Sequence, residues 1–117
     1  MKKLTRRITL LALSTLVAGS YLAVLAPGVW AKGNTKAGAS LFDGKCAMCH
    51  GKDGSGDSPM GKSMKVPDLR SKVVQKQTDT QIYDVIAKGK KMMPQYGSQL
   101  SKEQINNLVA YIRTLKK

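Results

Sequence analysis

The chain has 117 residues and a formal charge of +13, from 20 basic against 7 acidic side chains, with aromatics at only 5%. That length leaves no room for more than one ordinary domain. Two Cys and one His cannot supply the four ligands of a structural zinc site, and so strong a cationic excess points to acidic partners.

The N-terminus reads as an export signal. Lys2, Lys3, Arg6 and Arg7 form a basic start, and an apolar run follows from Ile8 to Ala26. Val29-Trp30-Ala31 then offers small residues at the −3 and −1 positions of a cut after Ala31. This order predicts a secretory signal peptide over 1–31. The alternative is an uncleaved membrane anchor, because 19 apolar-rich residues approach the roughly 20 that span a bilayer. Either way the remainder is expected to be periplasmic or otherwise extracytoplasmic. Thr5-Arg6-Arg7 also hints at twin-arginine export, although covalent cofactor attachment after export favours passage of an unfolded chain. Trp30 is the only Trp and precedes the predicted cut.

Residues 32–117 retain 16 basic and all 7 acidic side chains, a formal excess of nine. A domain of this size buries about 60–65% of its unfolded surface. Its aromatics are Phe42, Tyr83, Tyr96 and Tyr111. So thin a core asks for something apolar from outside the chain.

A first helix is predicted from an Asn34 or Thr35 cap to about Lys45, with Ala37, Leu41 and Phe42 on one face. Cys46-Ala47-Met48-Cys49-His50 follows and fits C-x-x-C-H, the attachment motif of c-type haem. Cys at i and i+3 share one face of a helical turn, so both thiols can reach one edge of a porphyrin while His50 turns toward the iron. A disulfide closing so short a loop would constrain the unfolded chain little. Thioredoxin-like chemistry wants a βαβ unit, which is absent.

Gly56 to Ser63 matches G-x-x-x-x-G-K-[ST], the phosphate loop of nucleotide hydrolases. That loop needs a strand before it and a helix after it. Here Gly51-Lys52-Asp53-Gly54-Ser55 precedes it and Pro67 follows closely, so the match is read as accidental and Lys62 as a solvated charge. Residues 51–68, with four Gly and two Pro, are expected to be loop. A short helix is expected within Asp68 to Gln77. The next begins at Thr78 or Thr80, carries Ile82, Val85 and Ile86, and stops at Gly89. Ser101 and Gln104 form a capping box, and Ile105, Leu108, Val109 and Ile112 make an apolar stripe. No strand is predicted.

A haem bound by one His needs a decision at its sixth position. Met48 lies inside the attachment turn. Met60 and Met64 sit in the loop. Met92 and Met93 lie 42 and 43 residues beyond His50, ahead of Pro94, which restricts Met93 to an extended backbone.

Taken together, these residues resemble a class I (mitochondrial-type) cytochrome c of the small bacterial single-haem kind. The resemblance rests on Gly38 and Phe42 ahead of Cys-Ala-Met-Cys-His-Gly, Val66-Pro67-Asp68-Leu69, Ile86-Ala87-Lys88-Gly89, Met93-Pro94, and Tyr111-Ile112 in the terminal helix. It implies an all-α fold of three to five helices around one covalently attached haem c, with first and last helices crossing where Gly38 and Phe42 meet Tyr111. It implies Cys46 and Cys49 as covalent attachments, His50 and Met93 as axial iron ligands with Met92 the second choice, and the Pro67 carbonyl as the group orienting the histidine. Two departures stand out: the 16 residues between His50 and Pro67 make a long loop, and the methionine is doubled.

The function implied is electron carriage between redox partners, without catalysis. Lys45, Lys52, Lys62, Lys65, Lys72, Lys76, Lys88, Lys90 and Lys91 would attract acidic partner proteins. Nucleic acid would attract the same charge, but export and the lack of an aromatic-basic motif disfavour it. A monomer is expected, with membrane contact only if the leader is retained. The alternatives are a haem sensor or small peroxidase with an open sixth position, or an electron-transfer subunit of a larger oxidoreductase.

Overall fold

The structure, a computed structural model, describes residues 32–117. The signal-or-anchor question and Trp30 lie outside the described residues. Among the described residues six helices follow one another: α1 Thr35–Lys45, α2 Ala47–His50, α3 Pro59–Met64, α4 Lys72–Gln75, α5 Asp79–Lys88 and α6 Lys102–Thr114. No strand occurs among the described residues; one isolated bridge joins Lys90 and Met93. No helix among them is long and apolar enough to cross a membrane.

The architecture is the all-α one expected, with two additions to the helix count. The 51–68 stretch is not all loop. Ser58 caps α3 by accepting from the Gly61 N–H, and Pro59 opens the helix, where its missing N–H costs nothing. Lys65 closes α3 in a left-handed conformation (φ 53°). The attachment motif contributes the other added helix, α2, a single turn.

The longer helices form for the local reasons read from sequence. Asn34 Oδ1 accepts from the Ala37 N–H at 3.0 Å to start α1. Thr78 with Gln81 and Ser101 with Gln104 make complete capping boxes. Capping boxes satisfy two otherwise orphaned N–H groups reciprocally.

Packing centres on α1 against α6. Phe42, Ile105 and Leu108 are the most deeply buried side chains, each 1% exposed. Phe42 meets Tyr111 with ring centroids 5.2 Å apart. Gly38 lets the helices approach: a Cβ there would strike the Asn107 carbonyl and lie 2.9 Å from the Tyr111 Cβ. The Asn34 N–H also donates to buried Asn107 Oδ1 at 2.6 Å, so the residue that caps α1 is held by α6.

The segment between α4 and α5 is tied to α6 by side chains of larger reach. Gln75 Nε2 donates to the Leu69 and Ile112 carbonyls at 2.9 and 3.0 Å. Arg113 donates to the Gln75 and Gln77 carbonyls and pairs with Asp79 at 2.8 Å. Phe42 of α1 and Leu108 and Ile112 of α6 also line the cavity that holds the site.

Candidate haem site

Chain geometry first brings the two thiols together. Cys46 sits between α1 and α2 as C-cap of one and N-cap of the other. Its carbonyl accepts from the Cys49 N–H at 3.1 Å and the His50 N–H at 2.9 Å. One turn therefore places Cys46, Cys49 and His50 on a single wall. Gly51 ends the turn at φ 74°, a region that favours glycine.

The following loop braces this wall from behind. The Gly56 N–H donates to the His50 carbonyl at 2.7 Å. Ser58 Oγ donates to the Cys49 carbonyl at 2.8 Å. A Cβ at Gly61 would strike that same carbonyl, so α3 lies directly on the turn. Met60 Sδ is 3.4 Å from Cys49 Sγ.

The wall faces a cavity of about 560 Å³ with a mainly apolar lining. Cys46, Cys49, His50, Val66, Pro67, Met93 and Tyr96 contribute to it, with Phe42, Ile86, Leu108 and Ile112 beneath. Cavities of roughly 300–1,000 Å³ suit a large organic ligand. Phe42 links floor to wall, its ring centroid 6.4 Å from that of His50.

Electrostatics suit a neutral nitrogen ligand. Burial lowers the His50 pKa below the ordinary imidazole value, which favours the uncharged ring that can coordinate a metal. His50 Nδ1 is buried and has no hydrogen-bond partner. Buried polar atoms are nearly always partnered, so an orphan calls for an explanation. Burial also pushes the pKa of the unattached Cys46 thiol up to about 11.

Each residue singled out from sequence lines this one cavity: Cys46, Cys49, His50, Pro67, Met92 and Met93. The two candidate methionines differ in setting. Met93 is half-buried and packs on the core, whereas Met92 is 69% exposed. Met48 and Met64 also reach the lining. The hydrogen bond expected from His50 to the Pro67 carbonyl is not formed, since Nδ1 has no partner. Gly56 binds the His50 carbonyl, and a Cβ on it would lie 2.7 Å from the Val66 carbonyl oxygen. The bare Gly56 therefore lets the Val66-Pro67 backbone pack closely against the residue that holds the His50 carbonyl.

Several participants had no signal in sequence. Tyr96 Oη donates to the Lys45 carbonyl at 3.2 Å, across 51 positions. Arg70 Nη1 meets Asp53 at 2.8 Å and Nε meets Asp68 at 2.9 Å, which folds the long loop back on itself. Residue type suggests neither pairing.

The donor set fits a covalently held haem: paired thiols on one wall, an imidazole with a depressed pKa beside them, an apolar interior and a thioether from a distant segment. Such a site in a strand-free helical fold defines a small class I c-type cytochrome. The family model described as cytochrome c oxidase, cbb3-type, subunit III, matches residues 33–112. A cytochrome c6 of Rippkaea orientalis is 32% identical over 103 residues, spanning 88% of this chain and 89% of that protein. A cytochrome c6 of Synechococcus sp. is 33% identical over 75 residues, 64% of each chain. The cbb3-type cytochrome c oxidase subunit FixP of Azorhizobium caulinodans is 34% identical over 81 residues, 68% of this chain but only 27% of that protein. Among solved structures, the KustC0563 c-type cytochrome is similar at a TM-score of 0.64 and 29% identity, over 68% of this chain and 98% of that one. The chain belongs to this c-type cytochrome family, and its cofactor is one covalently bound haem c.

Proposed function

We propose that the protein is an exported electron carrier, passing single electrons between redox partner proteins without itself catalysing a reaction. The observation that carries this reading is the single cavity in which the attachment turn and Met93 meet. Bound haem supplies the Fe(II)/Fe(III) couple. Cys46 and Cys49 would tether it through their sulfurs, and the His50 imidazole and the Met93 thioether would hold its iron. The thioether is neutral and soft, which suits Fe(II), and His/Met ligation raises the reduction potential. The apolar floor of Phe42, Ile86 and Leu108 keeps water out and disfavours the additional charge of Fe(III). Pro67 is read as the segment that accepts from His50 Nδ1 once the ring is seated, which would fix the tautomer.

Partners are read as acidic proteins. Lys45, Lys65, Lys90 and Lys91 line the cavity, and none of them makes an ion pair among the described residues. Lys52, Lys62 and Lys88 instead pair with Asp43, Asp57 and Asp84. Localisation follows the N-terminal reading: outside the cytoplasm, as a monomer. The match to a cbb3-type oxidase subunit family favours one second reading, in which the same chemistry serves within a larger oxidoreductase.

The test is optical and electrochemical, on protein matured with haem. Met93→Ala is expected to abolish the weak red charge-transfer band of thioether-ligated ferric haem. It should also lower the potential by a sizeable fraction of the roughly 0.8 V that axial ligands span. Met92→Ala is expected to change neither. Retention of the band in Met93→Ala excludes Met93 as the ligand.

A further inference from the structure

Two adjacent methionines reach the haem cavity, and the backbone between them carries a feature that distinguishes them. Lys90 and Met93 bond reciprocally. The Lys90 N–H donates to the Met93 carbonyl at 3.2 Å and the Met93 N–H donates to the Lys90 carbonyl at 3.0 Å. This is a two-residue hairpin turn with Lys91 and Met92 at its tip. Lys91 has φ 55°. Among two-residue hairpin loops, turns with positive φ at the first tip position favour glycine there, because a side chain in the left-handed region meets its own backbone.

Gly89 continues the same arrangement. Its φ is 73°, and a Cβ on it would lie 2.7 Å from the Met93 carbonyl oxygen. The far end is held as well: the Tyr96 N–H donates to the Ile86 carbonyl at 3.0 Å and the Gly97 N–H to the Ala87 carbonyl at 2.9 Å. The chain just beyond Met93 is therefore tied back to the last turn of α5.

Met92 occupies the tip of this turn and Met93 its base, so the two side chains have different settings. A shift of one position would then exchange Met92 for Met93 at the cavity. The reciprocal bonds prevent that shift. They leave Met92 at the tip, 69% exposed, and Met93 half-buried against the core. We propose that Lys91 is a positioning residue for the iron ligand: its left-handed backbone closes the Lys90–Met93 turn and so selects Met93, not Met92, as the thioether presented to haem. This inference rests on the reading of Met93 as an axial ligand.

The experiment uses ferric holoprotein titrated with imidazole, which competes for the sixth position, and follows the thioether–iron band. Lys91→Gly relieves the backbone cost and keeps the turn; imidazole is expected to bind about fivefold more weakly. Lys91→Pro cannot adopt positive φ; imidazole is expected to bind about tenfold more tightly or better. In the Lys91→Pro background, Met92→Ala should reduce the band, whereas in the natural chain the same substitution is expected to be silent. Lys90→Ala removes the same charge but no backbone bond, and should stay within about twofold of the natural chain. The proposal is overturned if Lys91→Gly is unchanged or looser, or if Lys91→Pro binds imidazole like the natural chain with Met92→Ala still silent. It is equally overturned if Lys90→Ala matches Lys91→Pro, since charge then explains the effect. Loss of the band in Met93→Ala alone keeps the underlying ligand reading intact in each of these cases, which separates the two failures.

Discussion

Arg70 shows how single side chains hold the unusual loop between His50 and Pro67. Its guanidinium reaches Asp68 on its own turn and Asp53 across 17 positions. Hydrogen bonds from Ser55 hold the Asp53 carboxyl below its ordinary pKa, with Arg70 adding to the effect. Hydrogen bonding from Arg70 lowers the Asp68 carboxyl in the same direction. A carboxyl lowered in the folded state binds fewer protons than the unfolded one, so its stabilising contribution is complete above the unfolded value of about 3.9. It is lost as pH falls below that value toward the depressed one. Arg70→Ala should therefore flatten the acid limb of a stability-versus-pH curve and leave less stability to lose on acidification. Urea midpoints from neutral pH into the acid range would measure this; an unchanged acid limb would show that Arg70 contributes nothing to it.

At the scale of elements, two glycines of α1 make a matched pair. Gly38 faces α6, where any Cβ meets the Asn107 backbone and Tyr111. Gly44 has nothing within 4 Å of its would-be Cβ. Gly38→Ala is expected to force the helices apart and destabilise by about 1–3 kcal/mol or more. Gly44→Ala removes the entropic cost of a helical glycine and is expected to stabilise by roughly 0.5–1 kcal/mol. Thermal unfolding of the two holoprotein variants should move the midpoint in opposite directions. Two shifts of the same sign would contradict the close approach of α1 and α6. The consequence reaches the site, because Phe42 touches both Tyr111 and His50.

Over the whole molecule, the lysines divide by position. Those lining the cavity make no ion pair among the described residues, while Lys62 and Lys88 hold carboxylates at 2.8 Å. Charge near the site of encounter steers association, and added salt screens it beyond about 10 Å at 0.1 M. Neutralising Lys45, Lys65, Lys90 and Lys91 together should slow reduction by an acidic redox protein about tenfold at low salt and flatten its salt dependence. Neutralising Lys52, Lys62 and Lys88 should do much less. Stopped-flow rates across a salt series decide this, and equal effects of the two sets would remove the proposed docking face.

Local chemistry is legible in the amino-acid sequence by itself. Caps at Asn34, Thr78 and Ser101, the apolar stripe of α6 and the attachment turn all depend on residues within a few positions of one another, so spacing alone reveals them. The Ser58-Pro59 start of α3 is equally local, but four glycines nearby conceal it. Only the tertiary structure decided which distant groups meet. It placed Tyr96 on the Lys45 carbonyl, Arg70 between two aspartates, and Met93 rather than Met92 against the core. The reason is physical: a hydrogen bond or packed contact between remote residues depends on how the whole backbone closes. Composition and periodicity carry no record of that closure.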